Sequence, residues 1–210
     1  MNKAYLRVAL LRLKRIVDLV LAICALLILS PFMALISILL MMEGGSVCFS
    51  HVRVGRAGVT FKCLKFRTML PNAEARLAEY LASNPGAKLE WEREFKLKHD
   101  PRVTRLGNLL RKSSLDELPQ LWNVLRGDMS LVGPRPIVNA ELRRYGKYLP
   151  DYLSVRPGLT GLWQVSGRNK TTYRRRVLLD AYYVRNWSLA LDIFILAKTV
   201  WVVIRRDGAY

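Results

Sequence analysis

Two carboxylates stand side by side, Asp116-Glu117, inside RKSSLDELPQLWNVLRGDMSLVGPRP (residues 111–136), with Arg111, Arg126 and Arg135 around them. The chain has two histidines, His51 and His99, and three scattered cysteines, Cys24, Cys48 and Cys63, so carboxylates are the main agents left for any chemistry. Cations clustered about two acids suit a phosphate-bearing substrate, because Arg presents a planar fork that grips phosphate oxygens in pairs. Two adjacent ionised carboxylates repel unless they share a cation. An oxygen-seeking ion such as Mg²⁺ meets that need with one or two carboxylates and completes its shell with water and phosphate. One carboxylate could then attack phosphorus to give an aspartyl-phosphate type intermediate, with arginines neutralising charge in the phosphoryl transition state. From spacing alone, a helix cap accounts for the pair equally well. Ser114-x-x-Glu117 fits a capping box. Asp116 as the cap is the better fit, since it puts Pro119 in the first turn, where a missing N–H costs nothing.

The elements that must position this pair begin with a membrane-like segment. The charge balance, 34 Lys+Arg against 16 Asp+Glu, points to polyanionic company: nucleic acid, anionic lipid or phosphorylated substrates. An odd cysteine count without CxxC spacing argues for a reducing compartment and against a disulfide framework or zinc site. Residues 16–42 are almost wholly apolar; as a straight helix they would run roughly 40 Å, against a hydrocarbon core of about 30 Å. Ser30-Pro31 breaks the run near its middle, because proline removes a donor and a nearby hydroxyl can satisfy part of the freed backbone. Lys3, Arg7, Arg12, Lys14 and Arg15 precede the run, and Arg53, Arg56, Lys62, Lys65 and Arg67 follow it. Cytoplasmic flanks carry the Lys/Arg excess, so basic charge on both sides predicts a re-entrant hairpin in preference to a proline-kinked spanning helix. The domain division that follows is 1–45 for the basic flank and anchor and 46–210 for a catalytic domain on the cytoplasmic face.

Beyond the anchor, VCFSHVRVG and VTFKCLKFRTM alternate about Gly55-Arg56-Ala57-Gly58 and read as a β-hairpin, with Phe61 and Cys63 on one face and Lys62 on the other. Lys65 and Arg67 flank Phe66 at its end, as candidate phosphate ligands or as ordinary edge-strand charges. Residues 72–98 read as helical, interrupted at Asn84-Pro85-Gly86, and 106–112 as a short helix. Gly133-Pro134-Arg135-Pro136 holds a rigid extended stretch around one arginine. Gln164 and Arg168 lie in a Gly-rich block that could contact a nucleotide base, while Trp163 serves equally as a base platform or a core residue. Arg174-Arg175-Arg176 reads as a membrane-facing charge run. Residues 187–204 are apolar but contain Asp192 and Lys198, which favours a helix lying in the interface over a second span.

Three blocks, KFRTM at 65–69, SLDELPQLWNVLRGDMSLVGPRP at 114–136 and RPGLTGLWQVSGR at 156–168, resemble the signature blocks of the bacterial sugar transferases, monotopic polyprenol-phosphate phosphoglycosyl transferases. The resemblance implies transfer of a hexose 1-phosphate from a UDP-sugar donor to an undecaprenyl phosphate acceptor, releasing UMP, at the first membrane step of exopolysaccharide, capsule or O-antigen synthesis. It implies Asp116 as nucleophile within an Asp-Glu dyad, Mg²⁺ as cofactor bound at Asp116 and Glu117, basic positions at Lys65, Arg111 and Arg135, and a re-entrant helix broken at Ser30-Pro31. Larger relatives add an N-terminal membrane and regulatory region, so the chain resembles the catalytic core alone. The implied place is the cytoplasmic face of a bacterial inner membrane, among anionic lipids, with a homodimer compatible. The expected fold class is α+β and predominantly helical: a membrane-associated catalytic domain with the re-entrant hairpin, a small β-hairpin and interfacial amphipathic helices. An N-acetylated or di-N-acetylated sugar is the alternative substrate. A membrane-tethered lipid- or nucleic-acid-binding module is the alternative class; no helix-turn-helix, RNP-like or zinc motif supports it, and no nucleic-acid partner is expected.

Overall fold

A computed structural model describes residues 3–94, 97, 99–167 and 171–205. Its first element is a single long helix, α1 (Lys3–Met42), with Pro31 inside it. Proline leaves the Leu27 carbonyl without its usual partner four residues on, and the Ser30 hydroxyl donates to that oxygen at 2.9 Å. The Ser-Pro pair therefore removes one backbone bond and supplies its replacement. Helix continues on both sides of the break, so 3–42 form one element and the two-armed hairpin expected from the sequence is not seen as two separate helices.

One face of α1 is docked. Ala22 packs into the central core with Ala25 and Leu26 beside it, and Ile36 and Leu40 pack with Met33 against Phe66 and Leu110. These positions recur every three to four residues, the spacing of one helical stripe. Polar contacts anchor the N-terminal half. Lys14 Nζ reaches Asp192 at 2.6 Å and the Val132 carbonyl at 3.1 Å. Arg15 donates to the carbonyls of Val124 and Leu125 at 2.8 and 3.1 Å. Asp18 accepts from the Ser130 hydroxyl at 2.7 Å and the Leu131 N–H at 3.2 Å. Much of the remaining surface of α1 is apolar and exposed, with Leu27 at 70% and Ile28 at 76%. A face of that kind calls for lipid or another apolar surface.

Strands β1 (Cys48–Val54) and β2 (Thr60–Phe66) pair antiparallel in the register Cys48↔Phe66 to Val54↔Thr60, which is the hairpin the alternation predicts. Helices α2 (Ala73–Ser83) and α3 (Pro85–Glu94) break at Asn84-Pro85 as read from the sequence. They are followed by α4 (Arg105–Ser113), a 3-10 turn at Leu115–Glu117, α5 (Gln120–Arg126) and the short strand β3 (Ser130–Val132). Then come α6 (Leu142–Tyr145), α7 (Leu149–Ser154), β4 (Gly158–Thr160), α8 (Leu162–Val165), α9 (Tyr173–Arg185) and α10 (Leu189–Arg205). β3 and β4 pair in parallel, Ser130↔Gly158 and Val132↔Thr160. A Cβ on Gly158 would fall 2.1 Å from the Gly133 amide nitrogen, so only glycine admits that crossing.

The main core joins α1, α5, β3, α9 and α10 through Ala22, Leu121, Val124, Val132, Tyr183 and Ile195. On α10, Ile195 and Asp192 are buried while Ile193, Phe194, Val200 and Trp201 are exposed. Asp192 accepts from Tyr183 at 2.6 Å and Trp187 at 3.0 Å in addition to its Lys14 contact. The acid that argued against a span on cost is thus satisfied within the protein, and the opposite apolar face suits an interfacial helix.

Candidate active site

The acidic pair lies where the chain turns between two helices. Thr104 caps α4, its hydroxyl accepting from the Gly107 N–H at 2.8 Å. The helix ends at Ser113, and Ser114 adopts a left-handed conformation, φ 59°, before the 3-10 turn carrying Asp116 and Glu117. No side chain caps that turn or α5, which starts directly behind Pro119. Both capping assignments weighed from the sequence are therefore replaced: the left-handed Ser114 redirects the chain, and the two carboxylates point away from the backbone donors toward β2. There Lys65 Nζ lies 3.4 Å from Asp116 Oδ2 and 2.7 Å from Glu117 Oε1.

Strand alternation delivers that lysine. Phe61 and Cys63 turn inward on β2, and Lys65 is the next residue on the same side. Asn123 of α5, fully buried, fixes the strand against the dyad. Its amide accepts from the Leu64 N–H at 2.9 Å and donates to the Lys62 carbonyl at 2.8 Å, standing in for a neighbouring strand. Burial, chiefly, raises the Asp116 carboxyl above the ordinary range; Lys65 pulls it down, Glu117 pushes it up, and Arg111 favours the ionised form.

The other cations sort differently from their order in sequence. Arg111 is half-buried, its Nε donating to the Thr68 hydroxyl at 2.9 Å, within Coulomb reach of Asp116. Arg135 lines the same cleft. Arg67 lines the cleft too, and its guanidinium donates to the carbonyls of Leu40, at 2.9 Å, and Gly44, closing the C-terminal end of α1. A buried fork beside an open helix end satisfies orphan carbonyls. Gln164 lines the cleft and donates to the Leu159 carbonyl at 3.2 Å, and Arg168 lies outside the described residues. Trp163 is buried with Arg135 and Arg176 against its ring. Arg176 thereby leaves the exposed run of Arg174 and Arg175 and turns inward.

Asn123, Lys14 and Arg176 escaped the sequence reading. Asn123 offered the one usable signal, an amide at a core-facing position of α5 three residues past Gln120. The other two read as members of charge runs.

The cleft holds about 2200 Å³. Lys65, Arg111, Asp116, Glu117 and Arg135 make its polar part, while Leu21, Ala25 and Leu29 of α1 and Leu196 and Val200 of α10 bring apolar helices to its wall. Among the described residues no group of three or more His, Cys, Asp or Glu side chains could hold a metal. A hard divalent cation would therefore rest on one or both carboxylates of the dyad and take its remaining ligands from water and phosphate, a donor set that fits Mg²⁺. An acidic pair under one lysine, arginines on the wall and apolar helices at the mouth can receive a phosphoryl group attached to a lipid.

The chain belongs to the bacterial sugar transferase family, whose model matches residues 9–206. It is 56% identical over 198 residues to the undecaprenyl-phosphate galactose phosphotransferase of Salmonella typhimurium, covering 94% of this chain and 42% of that protein. The UDP-galactose-lipid carrier transferase of Erwinia amylovora is 54% identical, with the same coverage of 94% and 42%. The exopolysaccharide production protein ExoY of Sinorhizobium fredii is 52% identical over 94% of this chain and 88% of its own length. The chain thus spans less than half the length of the first two relatives and most of the third.

Proposed function

We propose that this chain transfers a hexose 1-phosphate from a UDP-sugar to undecaprenyl phosphate, releasing UMP, through a phosphosugar–aspartate intermediate. The observation that carries the reading is Lys65 seated between Asp116 and Glu117, 3.4 and 2.7 Å away, in a cleft walled by the apolar helices α1 and α10. Galactose is the sugar the two enterobacterial relatives' names carry, and an N-acetylated hexose is the alternative.

In the first step an Asp116 carboxylate oxygen bonds to the phosphorus that carries the sugar. The bond from that phosphorus to the bridging oxygen breaks, and UMP departs with the electron pair. In the second, a phosphate oxygen of undecaprenyl phosphate attacks the same phosphorus and the Asp116 oxygen leaves, restoring the carboxylate. Lys65 keeps Asp116 ionised against its burial and neutralises charge gathering on the transferring group. Arg111 and Arg135 orient phosphate oxygens from the cleft wall. Asp116 and Glu117 would hold Mg²⁺, which when bound supplies further neutralisation of phosphate charge.

The same reading sets the protein at the cytoplasmic face of a bacterial inner membrane, with α1 re-entrant. Both halves of α1 dock on one body, through Lys14, Arg15 and Asp18 on one side of Pro31 and Ile36 and Leu40 on the other, which favours both ends on one face. Labelling engineered cysteines at positions 5 and 56 in intact cells tests this; periplasmic labelling at either sinks it. For the chemistry, membranes containing the protein are incubated with labelled UDP-galactose and undecaprenyl phosphate. Metal-dependent label in the lipid phase and its loss in Asp116→Asn, with an adduct on Asp116 by mass spectrometry when the acceptor is withheld, are the expected results. Full turnover by Asp116→Asn would refute the nucleophile, and retention of RNA or DNA without turnover would favour a binding module.

A further inference from the structure

Behind Arg135 the structure stacks cations and rings in alternation. The Arg135 guanidinium carbon lies 5.8 Å from the Trp163 ring centre, and that of Arg176 lies 4.7 Å from the same ring. Arg176 is also 5.3 Å from the Tyr173 ring, over which Arg144 sits at 3.7 Å. The order Arg135, Trp163, Arg176, Tyr173, Arg144 runs from the cleft wall outward along the start of α9.

Rings hold cations without neutralising them. Among the described residues, no carboxylate lies within ion-pairing distance of Arg135, Arg176 or Arg144. The Arg176 Nε and Trp163 Nε1 are buried without an acceptor, and the Gln164 Oε1 without a donor. Asp180 of α9 is a buried carboxylate whose field reaches both Arg176 and Arg135. It accepts from the Tyr145 hydroxyl at 2.8 Å, and its burial pushes its pKa up to about 7, so near neutrality it offers only part of a counter-charge. Arg53, close enough to Arg135 and Arg176 to be repelled by both, is itself paired with Glu141 at 3.9 Å; burial, chiefly, and these two arginines lower its pKa, against the pull of Glu141. A salt bridge would spend such charge internally, whereas this stack leaves it available to something outside the protein.

We propose that Arg176 is a positioning residue for phosphate binding: through Trp163 it fixes Arg135 at the cleft wall and adds unneutralised charge behind it, so that the stack receives a phosphate group of a bound substrate. The proposal rests on the transferase reading for the identity of that substrate, whose phosphate belongs either to the nucleotide donor or to the polyprenyl acceptor. Under it, Trp163 serves to hold a guanidinium and is not a platform for the base.

Binding to the chain of residues 1–210 in mixed micelles is measured by calorimetry, with UDP in one arm and undecaprenyl phosphate in the other. Arg176→Gln is expected to weaken one of the two on the order of ten-fold, the scale of one charge-assisted contact. Arg176→Lys, which keeps a cation against the ring, is expected within about three-fold of wild type, and the exposed neighbour variant Arg175→Gln unchanged. Loss confined to UDP assigns the phosphate to the donor, and loss confined to undecaprenyl phosphate assigns it to the acceptor. Wild-type affinity for both in Arg176→Gln overturns the proposal, as does an equal loss in Arg176→Lys and Arg176→Gln, or a wild-type protein that binds neither. Should Arg176→Gln not fold, Tyr173→Leu cuts the stack one rung further out and is read the same way. Because the readout is binding, absence of labelled lipid product from wild-type protein would fault the transferase reading separately.

Discussion

Gly107 gives the sharpest quantitative handle on how the site is held. A Cβ at this position would meet the Thr68 carbonyl oxygen at 2.1 Å and its carbonyl carbon at 2.6 Å, where real Cβ contacts begin near 3.0 Å. Gly107→Ala must therefore push α4 and the segment just past β2 apart by about 1 Å, since backbone cannot swing aside as a side-chain tip can. Thr68 also supplies the hydroxyl that holds Arg111 at 2.9 Å, one helical turn further along the same face, and the dyad follows just beyond the end of α4. A displacement of that size at reacting groups costs up to about 100-fold in rate. Overpacking of this kind destabilises by roughly 1–3 kcal/mol, which for a chain of this size lowers Tm by about 2–4 °C per kcal/mol. The expected result is a soluble, folded variant with turnover of labelled UDP-sugar down at least ten-fold and Tm lower by several degrees. Gly86→Ala, where nothing lies within 4 Å, is the matched control and is expected to keep activity. Wild-type turnover and Tm in Gly107→Ala would refute the idea that α4 sets the dyad by direct contact with Thr68.

Three further outcomes follow from the same geometry. Asp180 has a folded pKa of about 7 against 3.8 unfolded, so the native state binds its proton more tightly and stability declines as pH rises from about 4 to 7, then levels. Asp180→Asn is expected to remove on the order of 4 kcal/mol of that decline, read from denaturant unfolding across the range. Lys65→Met removes the cation between Asp116 and Glu117; the acid limb of the pH–rate profile should move alkaline, because a loss of positive charge raises Asp116 further, with turnover down about 100-fold or more. Lys14→Met strands the largely buried Asp192 and is expected to cost about 3 kcal/mol in Tm-derived stability, with Asp192→Asn in the same chain restoring part of it.

Local patterns in the sequence carried the local structure. Alternation marked β1 and β2 and placed Phe61 and Cys63 on one face, and Asn84-Pro85 divided α2 from α3. Ser30 beside Pro31 foretold a hydroxyl compensating a lost donor. The acidic pair stood out because little else in the chain can do chemistry. What escaped was partner choice, which periodicity does not encode. Lys14 and Arg15 counted only as topological charge, yet they bind Asp192 and the carbonyls closing α5, while Lys65 and Arg67, counted also as candidate phosphate ligands, meet the dyad and the end of α1. Arg174, Arg175 and Arg176 look alike in sequence, and only helical phase turns the last toward Trp163. The capping argument failed because it assumed a helix opening at Ser114 or Asp116, where a left-handed residue and a 3-10 turn intervene before α5.

The docking of α1 has a consequence for how the chain is made. Its contacts lie far downstream: Arg15 waits for Val124, 109 positions on, Asp18 for Ser130, 112 positions on, and Lys14 for Asp192, 178 positions on. At about 5–20 residues per second of synthesis, the last of these partners emerges roughly 10–40 s after the helix that needs it. Throughout that interval α1 carries an unmet lysine, and for the first 109 to 112 positions of it an unmet arginine and aspartate as well, next to an apolar stripe that the finished protein covers. Helix α1, translated before every partner that completes it, is thus finished only late, and the bilayer interface, or a chaperone acting in its place, must keep it in register until α10 arrives.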